Sequence, residues 1–159
     1  MTILTQLTWG TIFLGICAFM HVLVLSMGVP HLSRAGRFLD IRLPRLRIAG
    51  TLFLGVAMIV LAHTVQIWTW AAAYLYLGVL GTFEEAFYLA TVTYTTLGYG
   101  DVVPGPENRI FAIFAAITGL LTFGISTAFL LGMVVRLLPE AFDTSGGPLD
   151  DMRRGGPDH

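Results

Sequence analysis

The sequence predicts an all-α membrane protein: three membrane-spanning helices and, between the second and third, a re-entrant half-helix followed by a loop. Three observations carry this expectation. Of 159 residues, 55% are hydrophobic and only 12% charged, about half the charge of a soluble globular domain. Mean hydropathy is +0.77. The charges are also segregated, with no Asp, Glu, Lys or Arg from Met1 to Ser33, from Ile48 to Phe83, or from Ile110 to Val135. These runs of 33, 36 and 26 residues each exceed the roughly 20 apolar residues that cross a bilayer core of about 30 Å. Finally, the stretch from Gly78 to Glu107 is too polar to cross and too apolar to be a plain loop. Several classes are excluded. Cys17, the single cysteine, rules out a disulfide scaffold, and a net charge of -1 leaves no nucleic-acid footprint. No Ser/His/Asp, metal-ligand or phosphate-loop constellation occurs, so neither an enzyme nor a cofactor is expected.

The first span is expected from about Trp9 to Val29, closing a unit at residues 1–29. Nothing before Arg34 is charged, so the positive n-region of a cleavable signal peptide is missing. The helix is read as retained. Residues 30–47 form a basic linker in which Arg34, Arg37, Arg42, Arg45 and Arg47 face one acid, Asp40. Five of nine basic residues in one short loop place it in the cytoplasm. The N-terminus then lies outside, and the second span returns from Ile48 to Leu75. Trp9 at the start of the first span, with Trp68, Trp70, Tyr74 and Tyr76 at the end of the second, suits an aromatic belt at the outer interface. The third span, Asn108 to Leu138, runs inward and carries Arg136 near its inner end. Pro139 stops it. The tail, 139–159, is rich in Gly, Pro and Asp without apolar periodicity, and is expected to be disordered and cytoplasmic.

Between the second and third spans, Thr82-Phe83-Glu84-Glu85 has the form of a capping box. Thr82 is the N-cap, and Glu85 reaches back to the Thr82 amide. The helix that follows, within 82–95, is about 12 residues and so about 18 Å long, reaching only part-way into the bilayer. Residues 96–100 continue as an extended loop, and Pro104, Gly105 and Pro106 carry the chain back out. Extended backbone at membrane depth is tolerated only inside protein or beside a water-filled path.

The string Thr95-Thr96-Leu97-Gly98-Tyr99-Gly100-Asp101, behind a short apolar helix and before a third span, resembles the pore signature of potassium channels. The likeness covers about Ile48 to Val135. Leu97 departs from it, since Val or Ile is more usual there. It extends into the third span, where Asn108-Arg109-Ile110, Thr118-Gly119, Phe123-Gly124 and Ser126-Thr127-Ala128 follow the inner helix of simple two-helix bacterial channels. The resemblance implies a pore domain at 48–138: outer helix, pore helix 82–95, selectivity filter 96–100 and inner helix 108–138.

On that resemblance, potassium would bind backbone oxygens of Thr96, Leu97, Gly98 and Tyr99, with Gly100 closing the filter and Thr95 and Asp101 supporting it. Physical chemistry agrees. Carbonyls replace an ion's hydration shell without adding formal charge, and they can line one side only if successive residues alternate in handedness. Gly98 and Gly100 can take the positive φ this requires. Leu97 and Tyr99 would point away from the axis, and in the family the tyrosine hydrogen-bonds to the pore helix. One chain holds one such loop and no repeat, so the family's homotetramer is implied. Gly119 would be a hinge, Leu120, Phe123 and Thr127 would face a cavity, and Leu131 and Val135 would form an apolar gate. Close helix packing is the alternative for the small residues of this span.

Val92 stands where some family members carry a Glu that pairs with the Asp after the filter, so that pair is absent. His21, His63 and Gln66 lie at membrane depth, where polar groups are functional candidates by default. Neutral histidines hydrogen-bonded between helices are favoured over a proton sensor. Cys17 is expected to be a small buried hydrophobe. No span carries the spaced arginines of a voltage sensor, so the first span is a peripheral helix packed on the second. The linker arginines either contact anionic lipid or are merely solvated. The expected function is a potassium-selective channel of the cell membrane. A weakly selective cation channel and a non-conducting accessory subunit are the alternatives.

Overall fold

The computed structural model of the chain describes residues 1–39 and 44–138, with side chains outside 31–47. Its order is α1 (Ile3–Leu39), α2 (Pro44–Tyr76), α3 (Phe83–Tyr94), a 3-10 turn (Pro106–Asn108) and α4 (Arg109–Leu137). No strand occurs among the described residues. Three segments, Ile3–Pro30, Ile48–Tyr76 and Pro106–Leu137, are long and apolar enough to span a membrane. At 12 residues α3 is too short to do so. The chain is an all-α membrane protein with three spans and a short helix between the last two, as expected.

The first helix is longer than its apolar pattern suggests. It was expected over Trp9–Val29, yet it begins at Ile3 and runs through Pro30 to Leu39. A proline removes one helical donor, but in lipid the neighbouring backbone groups have no water to turn to and keep their helical bonds. Much of the expected linker is correspondingly helical. Arg34 and Arg37 lie on α1, Arg45 and Arg47 on the first turn of α2, and arginine is a good helix former. Pro44 starts α2 at the position where a missing donor costs nothing. Asp40 and Arg42 lie outside the described residues, as does the tail, 139–159.

The first helix is also not peripheral. Its Phe13 ring meets Trp70 of α2 at 5.8 Å and Phe111 of α4 at 6.1 Å, so α1 packs on both helices. Gln6, only 2% exposed, accepts at Oε1 from the amides of Ile110 (3.1 Å) and Phe111 (3.2 Å). These are first-turn donors of α4, which have no partner within their own helix. The Met1 ammonium donates to the Glu107 carbonyl at 3.2 Å. Sequence patterning missed this role because Gln6 sits in a run that reads only as apolar.

The aromatic belt needs a second correction. Trp68 and Tyr76 are exposed, but Trp70 and Tyr74 are completely buried, and the Tyr74 hydroxyl donates to the Ala112 carbonyl at 3.0 Å. Positions 70 and 74 share one face of the helix while 68 lies nearly opposite, so the cluster of four splits between lipid and core. On its other side, Trp68 packs on Phe83 (5.5 Å) and Phe87 (5.2 Å) and seats the N-terminal end of α3.

The α3 cap forms on Thr82, whose Oγ1 accepts the Glu85 amide at 3.3 Å. The return half differs from expectation, since the Glu85 carboxylate accepts from the Thr82 hydroxyl at 3.0 Å rather than from the Thr82 amide. That hydroxyl has a proton of its own to place, and the carboxylate is the strongest acceptor in reach. Val92 is buried and apolar.

Candidate selectivity filter

Immediately after the Thr95 C-cap, φ is +60° at Thr96, +55° at Gly98 and +79° at Gly100, and negative at Leu97 and Tyr99. The alternation in handedness therefore runs over five residues. Gly98 and Gly100 take the conformation expected of them, and Thr96 extends it by one step. A β-branched residue at positive φ is a genuine outlier whose strain is of order 1–2 kcal/mol. Such strain persists only where the surroundings enforce it. Here the Thr96 amide donates to the Thr93 carbonyl (2.9 Å) and the Gly98 amide to the Val92 carbonyl (3.0 Å). The loop is hydrogen-bonded to the end of α3. Thr95 adds Oγ1 to the Thr91 carbonyl at 2.7 Å.

Residues 95–100 are all exposed within the single chain. Leu97 and Tyr99 are 56% and 70% exposed, and Tyr99 makes no hydrogen bond to α3 of its own chain. At the outer end, the Asp101 carboxylate accepts from the Tyr88 hydroxyl at 2.6 Å and from the Val102 amide at 3.0 Å. The Asp101 carboxylate is thus held by a phenol of α3, although Val92 is apolar; nothing in the local sequence marks Tyr88 as its partner.

The Tyr88 hydrogen bond holds the Asp101 carboxyl below its ordinary 3.8 and raises the Tyr88 phenol above its ordinary 10.0. With the folded value depressed, the bond's stabilisation is complete above 3.8 and is lost as pH falls through the lowered value. Tyr88→Phe removes that bond and should return Asp101 toward its ordinary value, so its carboxyl takes up a proton at a higher pH than in the wild type. Carboxyl titration of Asp101 by NMR in both proteins checks this, and coincident curves would remove Tyr88 from the site.

On α4, Leu120, Thr127 and Leu131 share one exposed face, with Val135 at its edge. Phe123 sits on the flank instead, its ring 4.5 Å from that of His63 and 5.8 Å from that of Tyr94. Gly119 is buried against the end of α3, and a Cβ there would collide with the Tyr94 carbonyl oxygen. The structure gives this glycine a packing reason, which the hinge expectation did not contain.

Three helices long and apolar enough to cross a membrane thus frame a short half-helix and, after it, a turn of alternating handedness. Residues 60–136 match the family model described as "Ion channel". The chain is 31% identical over 134 residues to the Voltage-gated potassium channel Kch of Escherichia coli (strain K12), a match covering 80% of this chain and 28% of that relative. No solved structure matches significantly. Together the family match and the relative support an ion channel, and the chain spans little more than a quarter of that relative's length (28%).

Proposed function

We infer that the chain forms a homotetrameric, potassium-selective channel, with residues 48–138 as its pore domain. The observation that carries this reading is the positive φ at Thr96, Gly98 and Gly100. It is the backbone condition for carbonyls of Thr96, Leu97, Gly98 and Tyr99 to line one side of the strand. Four such strands around an axis replace the ion's hydration shell, and a single chain supplies one. The exposure of Leu97 and Tyr99 fits side chains that a neighbouring chain covers. The C-terminus of α3, carrying about half a negative charge, favours a cation at the inner end. Leu120 and Thr127 would face the cavity, with Leu131 and Val135 as an apolar constriction that closes by dewetting.

Purified protein in liposomes should pass potassium and reject sodium. Equal fluxes would leave a weakly selective cation channel, and no flux under any gradient would favour an accessory subunit. If the constriction lies at Val135, Val135→Asp should raise resting flux, because four like charges wet and open the ring. Thr127→Asp, in an already wet cavity, should not. Resting flux unchanged from wild type in both variants would move the gate to the filter.

A further inference from the structure

At membrane depth, six polar side chains from all four helices meet around the hydroxyl of Tyr94, the last residue of α3. Gln66 Nε2 lies 2.7 Å from His21 Nδ1. His21 Nε2 lies 3.0 Å from Ser126 Oγ, which lies 3.1 Å from His63 Nε2. His63 Nδ1 lies 2.7 Å from the Tyr94 hydroxyl, which donates to Gln66 Oε1 at 2.9 Å. Thr122 Oγ1 lies 2.8 Å from the same hydroxyl.

Assigning protons closes these contacts into a ring. The Gln66 amide nitrogen can only donate, so His21 Nδ1 accepts and Nε2 carries the proton. His21 then donates to Ser126, Ser126 to His63 Nε2, His63 Nδ1 to Tyr94, and Tyr94 to Gln66 Oε1. Each of the five groups donates once and accepts once, with both histidines neutral. Reversing every bond, with the Gln66 amide flipped, gives the one other consistent arrangement. Removing any member breaks the ring at two bonds, and His21, Gln66, Tyr94 and Ser126 are buried, where an unmade hydrogen bond is expensive.

The ring's hub adjoins the filter. Tyr94 lies between Val92 and Thr96 in sequence, the carbonyl of Val92 holds the Gly98 amide, and that of Thr93 holds the Thr96 amide. A displacement of Tyr94 therefore displaces the strained turn at Thr96. We propose that Tyr94 is a positioning residue for the filter, and that the ring through His21 makes α1 part of the ion-selecting apparatus. The proposal rests on the potassium-channel reading above. It gives α1 a task that a two-helix pore delegates to nothing.

The test compares potassium and sodium flux, together with the melting midpoint, in the full-length protein in liposomes. Tyr94→Phe keeps the ring's shape and removes its hub; His21→Leu opens it from α1. Each should lower potassium-over-sodium discrimination about tenfold, the scale of coupling within one network, and the double variant should be no worse than either alone. His21→Gln, which can both accept from Gln66 and donate to Ser126, should retain discrimination. Cys17→Ala, at a buried site outside the ring, should lower the midpoint without changing selectivity. If His21→Leu does not assemble, Ser126→Ala opens the ring with a smaller change. Tyr94→Phe and His21→Leu proteins that melt earlier yet discriminate as wild type would reduce the ring to structural support and overturn the proposal. A change with Tyr94→Phe alone would sever α1 from the filter. A wild-type protein that does not discriminate would defeat the channel reading instead.

Discussion

Gly98→Ala should bring potassium and sodium fluxes close to parity while the protein stays folded. The residue sits at φ +55° with open space where a Cβ would go, so the penalty is backbone strain and not collision. An L-residue in this region carries about 1–2 kcal/mol, and the Thr96 turn is already strained. The cheapest relief is rotation of the adjoining peptide, which turns a carbonyl from the axis. The packing of α2, α3 and α4 involves none of these atoms. At about 2–4 °C per kcal/mol for a chain of this size, the melting midpoint should move only a few degrees. Flux ratio and melting curve, measured on one preparation, check both halves. A variant with wild-type discrimination would mean that Thr96 to Gly100 do not line the ion path.

Gly119→Ala should act on assembly. The atom in the way is the Tyr94 carbonyl oxygen, which belongs to the backbone and cannot swing aside like a side-chain tip. Overpacking of this kind costs about 1–3 kcal/mol, and every chain of an oligomer incurs it at once. We expect a lower melting midpoint and less assembled protein by size-exclusion chromatography. Gly124→Ala, on the same helix with nothing near its Cβ, should behave as wild type or slightly better, since alanine is the stronger helix former. A pure hinge would give another pattern: normal assembly for Gly119→Ala with altered opening. Indistinguishable melting of the two variants would show that α4 can retreat from α3 at no cost.

The spans, the half-helix and the strand after it were legible because each has a local signal. Charge-free runs mark Ile48–Tyr76, Thr82 and Glu85 mark the start of α3, and Gly98 and Gly100 mark the turns that need positive φ. The positive φ of Thr96 was not legible, because it goes with two hydrogen bonds to α3 and not with the residue type. Tyr94 carries no signal of its own, Ser126 reads only as a small residue of the third span, and His21, His63 and Gln66 read only as polar groups at membrane depth, for a related reason. Their partners are up to 105 residues away, and no periodicity within one helix records which polar residues of four helices will converge. The role of α1 was misjudged on the same ground, since Gln6 acts on amides of α4 that every helix start possesses. Tyr88 meets Asp101 across 13 residues of chain, a pairing that the turn between them creates and no local pattern records.

The clasp between Gln6 and the start of α4 bears on how the chain matures. A ribosome makes α1 first, yet Gln6 and His21 depend on Ile110, Phe111 and Ser126, which emerge last. Only the His21–Gln66 contact, 45 residues apart, can form once α2 has entered the bilayer. Until α4 arrives, the earliest helix holds polar groups in lipid, where each unmet hydrogen bond costs several kcal/mol. The first two helices therefore wait as an unfinished hairpin. Insertion of α4 ends that wait, supplying the partners of Gln6 and His21 in a single step.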